Sequence, residues 1–153
     1  MATIRVIGVG NGWRGDDAVG LVAARRLRER LGPSVEVIEA EGDGLGLLEL
    51  MEGIDHVVFI DAVKGGGQPG ETVRLDVSRE SRWGRIVPCS SHAMGVAGAI
   101  DLARALRQLP KRAILYGIVI DSVKSGAPLS EAARAGLDRI VDQVSTEIGW
   151  DHA

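Results

Sequence analysis

Side chains that could hold a metal ion or move a proton lie at three separated places in the sequence. Asp16 and Asp17 are adjacent in GNGWRGDDAVG (10–20), Asp61 ends the apolar run VVFI, and His92 lies in SSHAMG. Asp17, Asp61 and His92 together offer two carboxylates and one imidazole. Such a set suits a divalent transition ion with open coordination positions.

Each of these residues also has a structural interpretation. Asp16 could be the N-cap of the following helix, with Asp17 as a favourable acid in its first turn. Asp61 could accept hydrogen bonds from backbone N–H groups, because a lone buried carboxylate is costly. His92 could be a structural residue at a helix start. The capping role does not explain why a second acid follows the first.

The first of these segments also fits the pattern G-x-G-x-x-G, which between a strand and a helix is typical of dinucleotide-binding proteins. The pattern falls on Gly10, Gly12 and Gly15, and Glu39 and Glu41 lie roughly where a ribose-binding acid is expected. Two observations disfavour this interpretation. The aspartate pair would repel a pyrophosphate at the helix N-terminus, and the chain has no room for a separate catalytic domain. We therefore expect no organic cofactor.

Nucleophilic catalysis is a weaker hypothesis. Cys89, Ser90 and Ser91 precede the histidine of SSHAMG, but no glycine-flanked nucleophile elbow surrounds them. The other two histidines, His56 at a strand start and His152 in the tail, are less useful candidates.

Size and composition indicate a single domain over residues 1–153. The formal net charge of −3 gives no overall attraction to nucleic acid. No apolar run is long enough to span a bilayer. Cys89 is the only cysteine, which excludes an internal disulfide and favours a reducing compartment. We expect a cytoplasmic protein that binds neither nucleic acid nor membrane.

Strand-like runs alternate with segments of helical period. The predicted strands cover 3–9, 35–40, 55–63, 72–77 (an edge) and 113–120. The predicted helices cover 16–31, 45–52, 92–108 (capped by Ser90 or Ser91) and about 130–148. Residues 78–91 are expected to be irregular. This order predicts an α/β fold: one three-layer domain with a mainly parallel sheet flanked by helices on both faces. Ligands of such folds bind at the carboxyl ends of the strands, where Asp17, Asp61 and His92 could meet.

Several separated motifs, taken in order, resemble those of the hydrogenase maturation proteases. These endopeptidases trim the large subunit of nickel–iron hydrogenases. The motifs are GVGNGWRGDDAVG, VVFIDAV, QPGET, SSHAMG, YGIVI and GAPLS, which together extend over nearly the whole chain.

The resemblance implies a nickel-dependent processing endopeptidase. Asp17, Asp61 and His92 match the nickel-binding positions of the family, and Asp16 could support the site or act as general base. The implied partner is the large-subunit precursor, which would bring the nickel and lose a C-terminal extension. Two other functions stay open: a small dinucleotide-binding module, and a nickel-binding maturation chaperone that does not hydrolyse its partner.

Overall fold

The computed structural model describes residues 3–11, 15–89, 95–121 and 128–152. The strands are β1 (Ile4–Val9), β2 (Glu36–Ala40), β3 (His56–Lys64), β4 (Thr72–Asp76), β5 (Val87–Pro88) and β6 (Arg112–Val119). The helices are α1 (Val19–Leu31), α2 (Gly44–Leu50), α3 (Gly95–Ala105) and α4 (Glu131–His152). Short 3₁₀ turns at Gly15–Ala18 and Gly32–Ser34 flank α1.

The strands form one sheet in the order β2-β1-β3-β6-β4. Neighbours are parallel except at the edge, where β4 runs antiparallel to β6. The short β5 pairs antiparallel with Val63 and Lys64, the end of β3 that extends past β1. The carboxyl ends of β1, β3 and β6 therefore share one edge, which we call the carboxyl edge. The opposite edge, where these strands begin, is the amino edge.

Helices cover both faces of the sheet, as the sequence predicts for a three-layer α/β domain. On one face α1 and α4 pack against side chains such as Val58, Ile60 and Ile118. On the other face α2 and α3 pack against side chains such as Val57 and Phe59. Residues 56–63 of β3 are all buried because the strand has neighbours on both sides and helices above and below.

Two glycines let α1 lie directly on the sheet. A Cβ at Gly8 of β1 would overlap the carbonyl oxygen of Gly20, and a Cβ at Gly20 would overlap those of Val9 and Ile60. Only hydrogen fits in these positions, since close-packed backbone leaves no space for a methyl group. This contact holds the first turn of α1 against the ends of β1 and β3.

Most predicted elements are confirmed, with a few differences. The helix predicted over 16–31 is divided into the 3₁₀ turn and α1. The segment 78–91, expected to be irregular, contains β5. The helix predicted from residue 92 is described from Gly95, and its predicted caps Ser90 and Ser91 lie outside the described residues.

Candidate active site

Asp61 lies on the sheet at the carboxyl edge. Its exposed fraction is 0%, and it is paired in register with Gly117 of β6. Because side chains alternate along a strand, Asp61 shares the α2/α3 face with Val57 and Phe59. A carboxylate in this setting needs strong hydrogen bonds or a cation, because burying its charge is costly.

Asp17 reaches the same edge from the turn between β1 and α1. It is 1% exposed, and its carbonyl oxygen accepts a hydrogen bond from Asn11 N at 3.0 Å. A Cβ at Gly10 would overlap the same carbonyl, so the turn lies directly on the chain that leaves β1. The 3₁₀ turn also contacts β3, the strand of Asp61. The structure thus brings both buried aspartates to one edge.

Asp16 does not cap the helix that follows it, so the capping interpretation is wrong. The N-cap of α1 is Ala18, which makes no side-chain cap. The Asp16 carboxylate instead accepts hydrogen bonds from Ser130 N and Ser130 Oγ, both at 2.7 Å. Ser130 Oγ in turn accepts from Ala133 N at 3.1 Å, so this serine caps α4. Sequence reasoning missed Ser130 as a partner of the acidic turn.

His92 lies outside the described residues. Cys89, three positions earlier, donates its backbone N–H to Ala62 O at 2.8 Å, so the chain leading to His92 is joined to the residue after Asp61. Within the described residues, no group of three or more His, Cys, Asp or Glu side chains could hold a metal ion. The structure places Asp17 and Asp61 at the same edge, and the roles of Asp17, Asp61 and His92 as metal ligands stay predictions.

Comparison with known proteins decides the family. The family model described as hydrogenase maturation protease, HycI, matches residues 21–147, which is most of the chain. This protein belongs to the hydrogenase maturation protease family. The matched range contains Asp61 and His92, whereas Asp17 lies just before it.

Two relatives match most of this chain and most of their own length. Hydrogenase 2 maturation protease of Escherichia coli K12 is 27% identical over 143 residues, covering 92% of this chain and 87% of the relative. The hydrogenase expression/formation protein HupD of Bradyrhizobium diazoefficiens is 27% identical over 152 residues, covering 95% and 79%.

Solved structures share the fold. The hydrogenase maturating endopeptidase HybD from Escherichia coli superimposes with a TM-score of 0.79 at 24% identity, over 97% of this chain and 93% of that one. The maturation protease HycI from Thermococcus kodakarensis gives a TM-score of 0.70 at 26% identity, over 95% and 91%. The mostly parallel α/β architecture is therefore that of the family.

Glu39, one of the two acids expected to bind a ribose in a dinucleotide site, is already paired with arginines. Glu39 accepts hydrogen bonds from Arg25 at 2.8 Å and Arg28 at 3.2 Å, both on α1. A ribose-binding acid would have to exchange these partners for sugar hydroxyls. That no dinucleotide binds stays a prediction, which titration with NAD can test.

A second polar cluster lies on the α1/α4 face, nearer the amino edge. Tyr116 donates to Glu147 Oε1 at 2.6 Å, Arg74 donates to the same oxygen at 2.7 Å, and His56 Nε2 lies 3.9 Å from Glu147 Oε2. Burial, together with the hydrogen bond to Glu147, raises the pKa of the Tyr116 phenol. The hydrogen bond to Glu147 also raises the pKa of Arg74. A groove of about 720 Å³ beside this cluster is lined by Arg74, Tyr116 and Glu147, among others, and by neither buried aspartate.

Among the helices that the structure describes, none is both long and apolar enough to cross a bilayer.

Proposed function

We propose that this protein is a nickel-dependent endopeptidase that removes a C-terminal extension from the precursor of a nickel–iron hydrogenase large subunit. One observation carries the proposal. In a member of the hydrogenase maturation protease family, Asp17 and Asp61 are both buried at one edge of the sheet. The precursor would bring the nickel ion and present it to these carboxylates.

The donor chemistry of the edge fits such an ion. Asp17 and Asp61 would bind nickel through carboxylate oxygens, and His92 would add an imidazole nitrogen. A divalent cation bound between the two aspartates would offset the repulsion of two ionised carboxylates. Protein ligands at three positions would leave room for groups from the precursor. A bound divalent ion can lower the pKa of water and stabilise an oxyanion, the two needs of peptide hydrolysis.

Because the enzyme alone would supply only part of the nickel coordination, cleavage should depend on whether the precursor carries nickel. Free peptides and nickel-free precursor should stay intact, whereas nickel-loaded precursor should lose its extension at a single bond. The measurement is the intact mass of the precursor after incubation in each state. His92→Ala should block cleavage, with His152→Ala as the matched histidine control that retains it.

The alternatives give different outcomes in this experiment. Equal cleavage of nickel-free precursor would contradict dependence on nickel while leaving a protease. Stable binding of the loaded precursor without cleavage by the wild-type protein would favour a nickel-binding chaperone. A cytoplasmic location follows from the same proposal, since the precursor would have to meet the enzyme there before folding is complete.

A further inference from the structure

Both oxygens of the Asp16 carboxylate contact the start of α4. One oxygen accepts from Ser130 N and the other from Ser130 Oγ, each at 2.7 Å. Hydrogen bonds to an ionised carboxylate are among the stronger ones in proteins. The positive end of the α4 dipole lies at the same place and adds to the attraction. Each of the two carboxylate oxygens of Asp16 thus accepts a hydrogen bond from this serine.

The other partner in this contact is a rigid part of the fold. Helix α4 is anchored in the core by the buried side chains of Leu137, Ile140, Val141, Val144 and Ile148. Ser130 is joined to the helix by Ala133 N, which donates to Ser130 Oγ, and by Arg134 N, which donates to Ser130 O at 3.0 Å. The contact therefore ties the 15–18 turn to an element that cannot move independently of the sheet.

Asp17, the next residue, is held on its other side by β1. Its carbonyl oxygen accepts from Asn11 N and lies against Gly10. The Asp17 backbone is thus fixed between the chain leaving β1 and the Asp16–Ser130 contact. Loss of either attachment would let the turn shift and carry the buried Asp17 carboxylate with it.

We infer that Asp16 is a positioning residue: through Ser130 it fixes the turn that presents Asp17 toward Asp61. The inference rests on the proposed function, because it assigns the nickel-binding role to Asp17. Asp16 itself neither contacts the ion nor transfers a proton. It sets the geometry of a ligand that does bind.

Amide hydrogen exchange and nickel titration test this inference in the full-length protein. Asp16→Ala and Ser130→Ala should each speed exchange of the Asn11 amide about tenfold, the scale of a charge-assisted hydrogen bond. Both variants should weaken nickel binding, measured by isothermal titration, by a similar factor. The double variant should be little worse than either single one, because both remove the same contact. Ser130→Thr keeps the hydroxyl and should restore both readouts.

A matched control exists at the amino edge. Asp76 also accepts hydrogen bonds from the backbone N and Oγ of a serine, Ser78. Asp76→Ala removes the same chemistry far from the site, so it should leave Asn11 exchange and nickel affinity unchanged.

Three results would overturn the inference. The first is unchanged exchange of the Asn11 amide in Ser130→Ala, and the second is unchanged nickel affinity in both single variants. The third is weaker nickel binding in Asp16→Ala but not in Ser130→Ala, which would mean that Asp16 acts on the ion directly. A wild-type protein that binds no nickel and cleaves no loaded precursor would reject the proposed function instead. The Asn11 exchange rates would then still decide whether Asp16 holds the turn.

Discussion

Asp61 combines complete burial with a position in the carboxyl-terminal half of a central strand. Most strand residues in such a place are apolar, as the neighbouring Phe59 and Ile60 are. Its partner across the sheet is Gly117, and the side chains of Val63 and Val73 fill the space where a Gly117 side chain would lie. A fully buried carboxyl group at such a place is a candidate for a functional role.

Asp61→Asn should weaken nickel binding while preserving the fold. Loss of groups that only support metal ligands costs roughly 10–100-fold in affinity or activity, so loss of a ligand should cost at least as much. Isothermal titration with nickel is the measurement. Asp55→Asn is the matched control, since Asp55 lies just before the same strand at its other end and accepts from Thr3 N there. Unchanged nickel affinity in Asp61→Asn would remove Asp61 from the proposed site.

At the scale of elements, α1 determines where the acidic turn lies. Its contact with β1 through Gly8 and Gly20 is backbone against backbone, so the helix has one position relative to the sheet. The turn before it then falls over the ends of β1 and β3. The packing of α1 on the sheet therefore helps to determine where Asp17 lies.

Gly20→Ala should destabilise the protein by about 1–3 kcal/mol, the range for overpacking of a close-packed interior. The added methyl group would displace α1, and nickel binding should weaken with it. Urea denaturation followed by circular dichroism measures the first effect, and nickel titration of the folded variant measures the second.

Gly46→Ala supplies the comparison for this substitution. Gly46 lies within α2, and an added Cβ there would be no closer than 3.6 Å to its neighbours, an ordinary contact. It should be neutral or stabilise by up to about 1 kcal/mol, because alanine has the higher helix propensity. Equal stability of the Gly20 and Gly46 variants would contradict the packing argument.

The sequence predicts elements that carry a strong local signal. The apolar run ending at Asp61 marks β3, and the spacing of Leu137, Val144 and Ile148 marks α4. The short β5 has only two residues, too few for any periodic pattern. The contact between Asp16 and Ser130 joins positions 114 residues apart, and nothing in either local sequence indicates its partner.

At the scale of the whole molecule, two polar systems lie toward different ends of the sheet. The two buried aspartates lie at the carboxyl edge, whereas Tyr116, Glu147 and Arg74 form their cluster on the α1/α4 face nearer the amino edge. Tyr116 is the only tyrosine in the chain, so its ionisation can be followed without interference from another.

Tyr116 should make stability fall at high pH. Its pKa is raised in the folded state by burial and by the hydrogen bond to Glu147. The fold therefore favours the protonated phenol. This contribution to stability is complete below the unfolded pKa of about 10 and declines above it, by up to about 1.4 kcal/mol per pH unit.

Comparison with Tyr116→Phe isolates this effect. The variant should be less stable at neutral pH by about 1–2 kcal/mol, since a hydrogen bond to a charged group is lost. The difference should shrink as pH rises above about 10. Urea denaturation of both proteins from pH 7 to 11 measures it, and a constant difference across that range would contradict the prediction.

Adjacent residues 116 and 117 of β6 belong to the surroundings of Glu147 and of Asp61, respectively. Tyr116 belongs to the α1/α4 side of β6, while its neighbour Gly117 is on the other side, next to Asp61. Substitutions in the cluster around Glu147 should therefore change stability without reaching Asp61. In most enzymes stability and activity compete for the same residues. Here the cluster around Glu147 shares no residue with the proposed site, so stability can be altered at a separate place.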